Sequence, residues 1–404
     1  MAGTVLLLGT FDTKGHEYAF VRDRLLDLGV AVLLVDAGIN DPVGVQPDVA
    51  RDAVAEAGGA RIEELASAGD RGAAVEAMAR GARGLVRRLF DEGRFDGILA
   101  LGGSSGSSIA TAAMRGLPVG VPKLMVSTMA AGDTRPYVGA TDLTMMAAVV
   151  DIAGVNSVSA RIMTNAAGAI AGMVGARAPE LEHRKVIAAT MFGVTTPCVT
   201  RARELLDELG YEVLVFHATG TGGQSMEALV SDGYLDGVLD ITTTELADDL
   251  VGGVLSAGPH RLEAAGRSGV PQVVSLGALD MVNFGPRDTV PERFEQRRLY
   301  VHNPTVTLMR TTPEECAQLG RKIGRKLSGA RGPTVLFVPL RGVSMIDVEG
   351  QPFHDIAADR ALIDGLRETL DDSVEFHELD MDINDRQFAE AMARRLHELV
   401  TEAK

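Results

Sequence analysis

The chain has 404 residues, which is long enough for two domains of ordinary size. Apolar residues make up 46% of it and charged residues 23%, the balance of a soluble globular protein. The formal net charge of −16 argues against nucleic acid and anionic membranes as partners, because both would repel such a chain. The two cysteines, Cys198 and Cys316, are too few for a disulfide framework or a cysteine zinc motif.

The amino terminus leads directly into an apolar run, residues 5–8, without the pattern of a signal peptide. No apolar stretch reaches the roughly 20 residues that a membrane-spanning helix needs. We therefore expect a cytoplasmic protein.

The first 180 residues alternate between buried strands and helices. Short apolar runs without helical spacing predict strands, and runs with helical spacing that end near glycine predict helices. The predicted strands are residues 5–8, 30–35, 98–101 and 123–127. The predicted helices are residues 16–28, 72–92, 109–114, 143–152 and 161–174, with room for a short one around 62–66.

A charged break at residues 179–185 is followed by a return of the opening pattern. Asp96-Gly-Ile-Leu matches Asp236-Gly-Val-Leu, and Gly120-Val-Pro-Lys matches Gly269-Val-Pro-Gln, in the same order. These matches predict an α/β protein with two doubly wound parallel-sheet domains, residues 1–180 and 185–404, and a cleft between them. Two unrelated folds of one class could also agree in this way by chance.

A glycine- and serine-rich stretch, residues 102–108, follows the buried strand at 98–101. Its backbone N–H groups and hydroxyls would converge just before a helix, an arrangement that suits a phosphate or a carboxylate. An ordinary strand-to-helix turn is the alternative, because glycine and serine are common in turns.

The stretch at residues 9–15 offers hydroxyls, a carboxylate and an ammonium group after the first strand. Lys14 could neutralise a phosphate, and Asp12 could hold Mg²⁺ or a ribose. The spacing matches neither a Walker A sequence nor G-x-G-x-x-G. The alternative makes Asp12 a helix N-cap and Lys14 a solvated side chain.

The second half offers candidates for catalysis. Cys198 follows Pro197 at a predicted helix start, where the helix dipole could lower the pKa of its thiol, although a lone cysteine is more often a small buried residue. His354 beside Asp355 is a candidate base, and Glu245 lies on a strand-end loop. Residues 218–225 repeat the glycine-rich anion cradle. The histidines show no metal-ligand spacing, so we expect no dedicated metal site.

Four motifs together resemble the family of the ATP-binding domain from the tomato inhibitor of tobamovirus RNA replication. They are Gly9-Thr-Phe-Asp-Thr-Lys-Gly15, Gly102-Gly-Ser-Ser-Gly106, Val126-Ser-Thr-Met129 and Met191-Phe-Gly-Val-Thr-Thr-Pro-Cys198. The family includes bacterial and fungal proteins of about this length, and the resemblance covers essentially the whole chain. It implies two Rossmann-like domains, binding of ATP mainly by the first domain, and a dimer. The implied cofactor-binding residues are Thr10, Asp12, Thr13, Lys14, Gly102, Gly103, Ser104, Ser105, Gly106, Ser127 and Thr128.

Two classes of function fit these observations. The first is an enzyme that acts on a small organic acid or a phosphorylated metabolite in the cleft, with ATP, alone or with Mg²⁺, as substrate or regulator. The repeated strand-end loops of the second half favour it, because a pure binding module needs only one set. The alternative is a module without catalysis whose bound nucleotide controls association with a protein. A two-lobed periplasmic binding protein would share the architecture, but the export signal is missing.

Two predicted helical stretches near the end of the first half, residues 141–152 and 159–174, carry very few charges. A surface helix normally keeps a charged stripe, so these faces need a cover. We expect a homodimer in which Ala166, Ala167, Gly168 and Gly172 let two helices approach closely. The alternative is that the helices lie between the two domains of one chain.

Overall fold

The computed structural model describes residues 2–179 and 183–403. The chain divides into two compact units, Met1–Glu180 and Leu181–Lys404, called unit 1 and unit 2 below. The break expected at residues 179–185 includes 180–182, which lie outside the described residues.

Unit 1 contains one parallel sheet of five strands. These are β1 (Ala2–Gly9), β2 (Val30–Asp36), β3 (Gly97–Gly102), β4 (Lys123–Ser127) and β5 (Thr144–Ala147). Their order across the sheet is β2-β1-β3-β4-β5. The apolar runs predicted as strands lie in its centre, because a parallel strand covered on both faces is apolar along its whole length.

Seven helices accompany the sheet among the described residues of unit 1. They are α1 (Phe11–Asp27), α2 (Arg51–Ala57), α3 (Ile62–Ala68), α4 (Arg71–Asp91), α5 (Ser104–Met114), α6 (Arg135–Val138) and α7 (Ser157–Gly175). Alternate residues of β1 face opposite layers. Leu6 and Leu8 belong to a core with α4 and α5, whereas Val5 and Leu7 belong to a core with α1 and α7.

The helix predicted at residues 141–152 is wrong. Thr144–Ala147 forms strand β5, which pairs in parallel with Leu124–Ser127 of β4. The helix propensity of Met and Ala is outweighed there by the backbone hydrogen bonds that the edge of the sheet offers. The second predicted stretch is helix α7, but Ala166 and Ala167 are fully buried in the core of unit 1.

Unit 2 contains nine strands among its described residues. They are β6 (Val186–Met191), β7 (Glu212–His217), β8 (Gly237–Thr242), β9 (Gln272–Gly277), β10 (Met281–Phe284), β11 (Leu299–Asn303), β12 (Val306–Arg310), β13 (Thr334–Pro339) and β14 (Glu375–Leu379). Six of them form a parallel sheet in the order β14-β13-β9-β8-β6-β7. The other three form an antiparallel sheet in the order β10-β12-β11.

The described helices of unit 2 lie between consecutive strands, except the last, which follows β14. They are α8 (Thr196–Glu208), α9 (Thr221–Ser231), α10 (Glu245–Val251), α11 (Ala264–Ser268), α12 (Pro313–Ser328), α13 (Ile356–Arg367) and α14 (Arg386–Glu402). Short 3-10 turns occur at Gly193–Thr195, Arg287–Thr289 and Glu292–Phe294.

Two parallel sheets flanked by helices confirm the predicted fold class of two Rossmann-like domains. In each unit the first strand lies between the second and the third, so the chain changes direction across the sheet beside that first strand. Ligands of open α/β sheets bind at this switch point, beyond the carboxyl ends of the strands. The cleft expected between the domains stays a prediction. None of the helices that the structure describes is long and apolar enough to cross a bilayer.

Candidate functional site

A cavity of about 600 Å³ opens at the switch point of unit 1, beyond the carboxyl ends of β1 and β3. Nine of the eleven residues predicted to bind a cofactor line it, coming from two separate segments of the sequence. They are Thr10, Asp12, Thr13, Lys14, Gly102, Gly103, Ser104, Ser105 and Gly106. The fold therefore brings the first and second glycine-containing motifs to one place.

Helices α1, α4 and α5 all begin at the wall of this cavity, and α1 and α5 begin well before the sequence suggested. Helix α1 starts at Phe11 and helix α5 at Ser104, so most of each predicted loop is the first helical turn. Neither helix is capped by a side chain at its N-terminus. The Thr10 side chain accepts no N–H hydrogen bond from α1, and Gly103 has no side chain to offer α5. The first N–H groups of α5 lack intrahelical partners and favour an anion, whereas at the start of α1 the Phe11 N–H donates to Asp36 and those of Thr13 and Lys14 donate to the Thr10 carbonyl.

Gly102 is required for this arrangement by a close approach of backbone. A Cβ atom at Gly102 would lie 3.0 Å from the backbone of Gly106, tighter than most real contacts. Gly103 is different, since its Cβ would meet only the hydroxyl oxygen of Thr128, at 3.6 Å. A substitution at Gly103 would therefore cause little strain, contrary to what we would expect of a glycine in a tight turn.

Two cationic side chains reach the cavity. Lys14, in the first turn of α1, lines the cavity and donates through Nζ to the carbonyl oxygen of Ile152. Arg71, at the start of α4, donates from Nη2 to the Ser105 hydroxyl at 3.1 Å. Sequence reasoning missed Arg71, because only folding brings α4 to the start of α5. Both cations line the same cavity as the uncapped start of α5.

Asp12 lines the cavity, and the buried carboxylate of Asp36 lies behind it, next to the lining residues Ala37 and Gly38. Oδ2 of Asp12 accepts hydrogen bonds from the backbone of Ile39 and from Asn40, at 3.1 to 3.3 Å. Oδ1 of Asp36 accepts from Phe11 N at 3.1 Å and Gly38 N at 2.8 Å. The second oxygen of each carboxylate is buried without a partner among the described residues.

Asp36 is fully buried at the end of β2, and its burial raises the pKa of its carboxyl above the ordinary value. The charge of Asp12 acts in the same direction, and the hydrogen bonds from Gly38 and Phe11 act against it. Sequence reasoning named Asp12 but not Asp36. The available signal was an acidic residue directly after the second strand, which is where Rossmann-type sheets place a ribose ligand.

Part of the remaining wall is apolar, and Asp70 and Asp151 also line the cavity. The apolar side chains come from helices α3, α4 and α5 and are Leu65, Ala66, Ala74, Val75, Met78 and Ile109. The cavity therefore has one polar end and one apolar side, as ligand pockets commonly do.

Ser127 and Thr128 are the two predicted residues that do not line the cavity. Ser127 is buried, and its hydroxyl lies 2.7 Å from that of Ser107 on α5. It also accepts from the backbone N of Met129 at 3.0 Å. The contact links the end of β4 to α5, which is a positioning role for the helix that begins at the cavity.

In unit 2, the predicted anion cradle already holds a carboxylate of the chain. Oε1 of Glu245 accepts from the backbone N of Gly220 at 2.7 Å and of Gly223 at 3.0 Å. Its Oε2 accepts from Nε of Arg261 at 2.6 Å. Glu245 is fully buried, so the side chain named as a catalytic candidate is engaged on both oxygens.

Arg261 completes a buried charge network at this place. Its guanidinium binds both oxygens of Asp240 and lies 3.4 Å from Glu227. Thr190 donates its hydroxyl to Asp240 at 2.7 Å. Sequence reasoning gave no sign of Arg261, because its partners lie 16 to 34 residues away along the chain.

Cys198 contradicts the expectation of an activated thiol. Its side chain is fully buried, and that burial raises the pKa of the thiol well above the ordinary value, with the charge of Asp382 adding to the effect. The expected lowering by the helix dipole is wrong because desolvation of a thiolate outweighs it at this position.

His354 is half-buried, and its Nδ1 lies 3.0 Å from the carbonyl oxygen of Asp347. The adjacent Asp355 does not face it. Instead, the Asp355 carboxylate caps α13 by accepting from Ala358 N at 3.2 Å. The groups near the imidazole are Asp347 and Asp359, which the sequence places seven residues before and five residues after it.

Family models cover both units. The model of the Uncharacterised protein family (UPF0261) N-terminal domain matches residues 3–179, and that of the C-terminal domain matches residues 184–400. The chain belongs to the UPF0261 family.

Similar proteins support the assignment over the full length. A UPF0261 protein of Clostridium tetani is 54% identical over 97% of this chain and 98% of its own. The UPF0261 protein RA0729 of Rhizobium meliloti is 48% identical over 96% of each chain. The ToMV resistance protein Tm-1(GCR237) of Solanum lycopersicum is 43% identical over 80% of this chain and 44% of its own length.

Solved structures add nothing to the assignment. A UDP-N-acetylglucosamine 2-epimerase from Rickettsia bellii aligns over 67% of this chain and 78% of its own, at 11% identity and a TM-score of 0.21. That score supports no inference about the UPF0261 chain.

Proposed function

We propose that unit 1 binds ATP in the cavity at its switch point. The triphosphate lies against the start of helix α5, where Gly103, Ser104 and Ser105 offer N–H groups and hydroxyls. Lys14 and Arg71 supply positive charge on either side of it. The observation that carries the proposal is the convergence of the uncapped start of α5 and two cations on one cavity.

The other parts of the cavity fit the rest of a nucleotide. A base would pack on the apolar wall of Leu65, Val75 and Met78. The unpartnered oxygen of Asp12 would accept a hydrogen bond from a ribose hydroxyl, or would bind Mg²⁺ held by the phosphates. A volume of about 600 Å³ is within the range of small-molecule sites.

The test is calorimetric titration of the full chain with ATP, using two serine-to-aspartate variants of one helix. In Ser105→Asp, the new carboxylate repels phosphate and pairs with Arg71, while the helix dipole stabilises the fold. We expect ATP affinity to fall by at least about tenfold, since charged hydrogen bonds are worth about 1.5–3 kcal/mol. The control is Ser108→Asp, which adds the same charge one turn later, outside the lining of the cavity.

Unchanged ATP affinity in Ser105→Asp would remove the start of α5 from the site. No measurable binding of ATP to the unmodified chain, with folding shown by circular dichroism, would overturn the proposal.

A second part of the proposal is that the chain is an enzyme. The three catalytic candidates, Cys198, Glu245 and His354, belong to unit 2, and the first two are fully buried. A small organic acid or phosphorylated metabolite as substrate stays a prediction, and so does the alternative of a nucleotide-controlled binding module. Release of phosphate from ATP, measured alone and with pooled carboxylic acids, distinguishes the two. Turnover supports an enzyme, and tight binding without turnover supports the module.

The homodimer also stays a prediction, and α7 alone now carries it. Arg161, Asn165, Gly168 and Gly172 are exposed on this helix, and a Cβ at either glycine would meet nothing within 4 Å. A change at Ala167, which is buried, would damage the core instead. We expect the chain to be dimeric by light scattering and Gly168→Arg to be a folded monomer. A monomeric parent chain at micromolar concentration would contradict this.

A further inference from the structure

A second cluster of chemically active side chains lies in unit 2. Asp347, in the segment between β13 and α13, His354 and Asp359 each offer one ligand atom, and the three atoms lie within 4.8 Å of one another. Asp347 is fully buried, while the other two side chains are half-buried. One imidazole and two carboxylates are a ligand set that several divalent metals accept.

The imidazole of His354 is oriented as metal-binding histidines are. Its Nδ1 lies 3.0 Å from the carbonyl oxygen of Asp347, so Nδ1 carries the proton and donates to that oxygen. The lone pair is then on Nε2. A backbone carbonyl that fixes the second ring nitrogen is the usual outer partner of a histidine ligand. This contact is independent of the carboxylates.

The charges around the cluster are unbalanced. Arg310 is buried and donates from Nη2 to Asp347 at 3.1 Å and to Asp359 at 2.7 Å. A third carboxylate, Asp280, is also buried, and its charge raises the pKa of Asp347. Its Oδ1 has no partner among the described residues, and its Oδ2 accepts from Ser344 at 2.8 Å. Three carboxylates around one guanidinium leave two negative charges unmatched, which one divalent cation would balance.

Coordination capacity remains after the contacts with Arg310. A carboxylate has about four lone-pair positions, and the recorded contacts use one oxygen of Asp359 and one position on each oxygen of Asp347. His354 and Asp359 also line a pocket of about 300 Å³ together with Arg341, Arg360 and Arg367. An ion held here would therefore have open positions toward this pocket, which Asp364 and Glu378 also line.

We propose that Asp347, His354 and Asp359 bind one divalent transition-metal ion, Zn²⁺ or Mn²⁺, whose open coordination positions face this pocket. The proposal is independent of nucleotide binding in unit 1. The competing explanation is that excess protons balance the charge, because burial raises the pKa of Asp347 to about 9.

The test is equilibrium dialysis of the full chain, stripped with a chelator, against Zn²⁺ or Mn²⁺ alone, with bound metal counted by mass spectrometry. We expect one equivalent in the unmodified chain and a loss of affinity of about 10–100-fold or more in His354→Ala and in Asp359→Asn. The matched control is His260→Ala, which removes an exposed histidine of unit 2 that pairs with Glu263. Its affinity should not change. The preference between the two ions is read from the same dialysis.

A second measurement guards against misfolded variants. Saturating metal should raise the melting temperature of the unmodified chain, and of His260→Ala, but not that of His354→Ala. Binding of Co²⁺ should add visible absorption bands that both ligand variants lose. Absence of stoichiometric metal at micromolar concentration would overturn the proposal, as would full retention of metal by both ligand variants.

Discussion

The switch points of the two units have the same strand order and opposite contents. In unit 1, a cavity opens beyond the carboxyl ends of β1 and β3, and one carboxylate oxygen of its lining residue Asp12 has no partner among the described residues. In unit 2, the glycine-rich start of α9 is filled by Glu245, and Arg261 binds the charges around it. In unit 1 the backbone N–H groups at a helix start are left open, and in unit 2 they donate to Glu245. The fold therefore provides the place for an anion twice, and the side chains decide whether it stays free for a ligand.

The two units differ in the residues that begin the helix after their third strand. The helix after the third strand of unit 2 starts with Glu245, which is long enough to reach Gly220 and Gly223. The corresponding helix of unit 1 starts with Ser104 and Ser105, which are short. A short residue leaves space and unbonded N–H groups, whereas a long acidic one supplies an internal anion.

The largest expected effect comes from removing the buried cation of unit 2. Arg261→Met leaves Asp240 and Glu245 buried without their counter-charge, and we expect unit 2 to lose about 3–5 kcal/mol of unfolding free energy. Hydrogen exchange of peptides from β6 and β8 measures it, with peptides of unit 1 as the internal reference. Arg267→Met is the control, because this exposed arginine pairs with Glu263 at the surface. A loss below about 1 kcal/mol in Arg261→Met would mean that the network contributes little.

Glu245→Ala would make unit 2 resemble unit 1, because it removes the carboxylate that fills the glycine-rich loop. Two glycine N–H groups lose their acceptor, and we expect a loss of about 2–4 kcal/mol. Acetate should restore part of this stability by taking the place of the carboxylate, and chloride at the same ionic strength should not. The unmodified chain, tested with the same salts, supplies the baseline. Equal responses to acetate and chloride would contradict the view of this loop as an anion cradle.

Much of the fold could be predicted from local sequence. Buried parallel strands are continuous apolar runs, so residues 98–101 and 123–127 were found within a residue or two of β3 and β4. The helix predicted at residues 141–152 is wrong, because Met and Ala favour a helix locally and only pairing with the edge of β4 makes these residues a strand. Where polar residues open a helix, as at Asp12 and Ser104, sequence reasoning mistook the first turn for loop.

The candidate site was predictable only in part, for a related reason. Glycine and hydroxyl residues after a strand indicate an anion site, and seven of the predicted ones do line the cavity. Arg71 and Arg261 could not be found in this way, since each meets its partners through tertiary folding. Nothing local distinguishes the open glycine-rich start in unit 1 from the filled one in unit 2, because Glu245 enters from another helix.

A third prediction uses pH and the helix that carries Glu245. Asp248 is fully buried on α10, and this burial raises its pKa to about 7. The unfolded value is about 3.9, so the folded state binds this proton more tightly, and the unfolding free energy falls as pH rises between these values. Compared with Asp248→Asn, the unmodified chain should therefore gain up to about 1.4 kcal/mol for each unit that pH falls from 7 to 5. Urea unfolding at several pH values measures the difference.

The neighbouring Asp249 supplies a control of opposite sign. Burial also acts upward on the pKa of Asp249, but the hydrogen bond and charge of Lys322 outweigh it and lower the pKa. Its ionised form is stabilised by folding, so this contribution is lost as pH falls through the folded pKa. If Asp248→Asn and Asp249→Asn changed the pH dependence in the same direction, the burial argument for Asp248 would be wrong.

The smallest expected effect is on ATP binding by unit 1. Lys14→Ala removes one cation from the proposed phosphate site, and we expect ATP affinity to fall by about fivefold, or about 1 kcal/mol, because Arg71 remains. The melting temperature should change little, since the lysine is half-exposed and the recorded bond it loses is one to the carbonyl of Ile152. The control is Arg135→Ala, an exposed arginine of the same unit that pairs with Asp133 away from the cavity lining. Equal ATP affinity in the unmodified chain and Lys14→Ala would remove Lys14 from the site and leave the start of α5 and Arg71 to hold the phosphates.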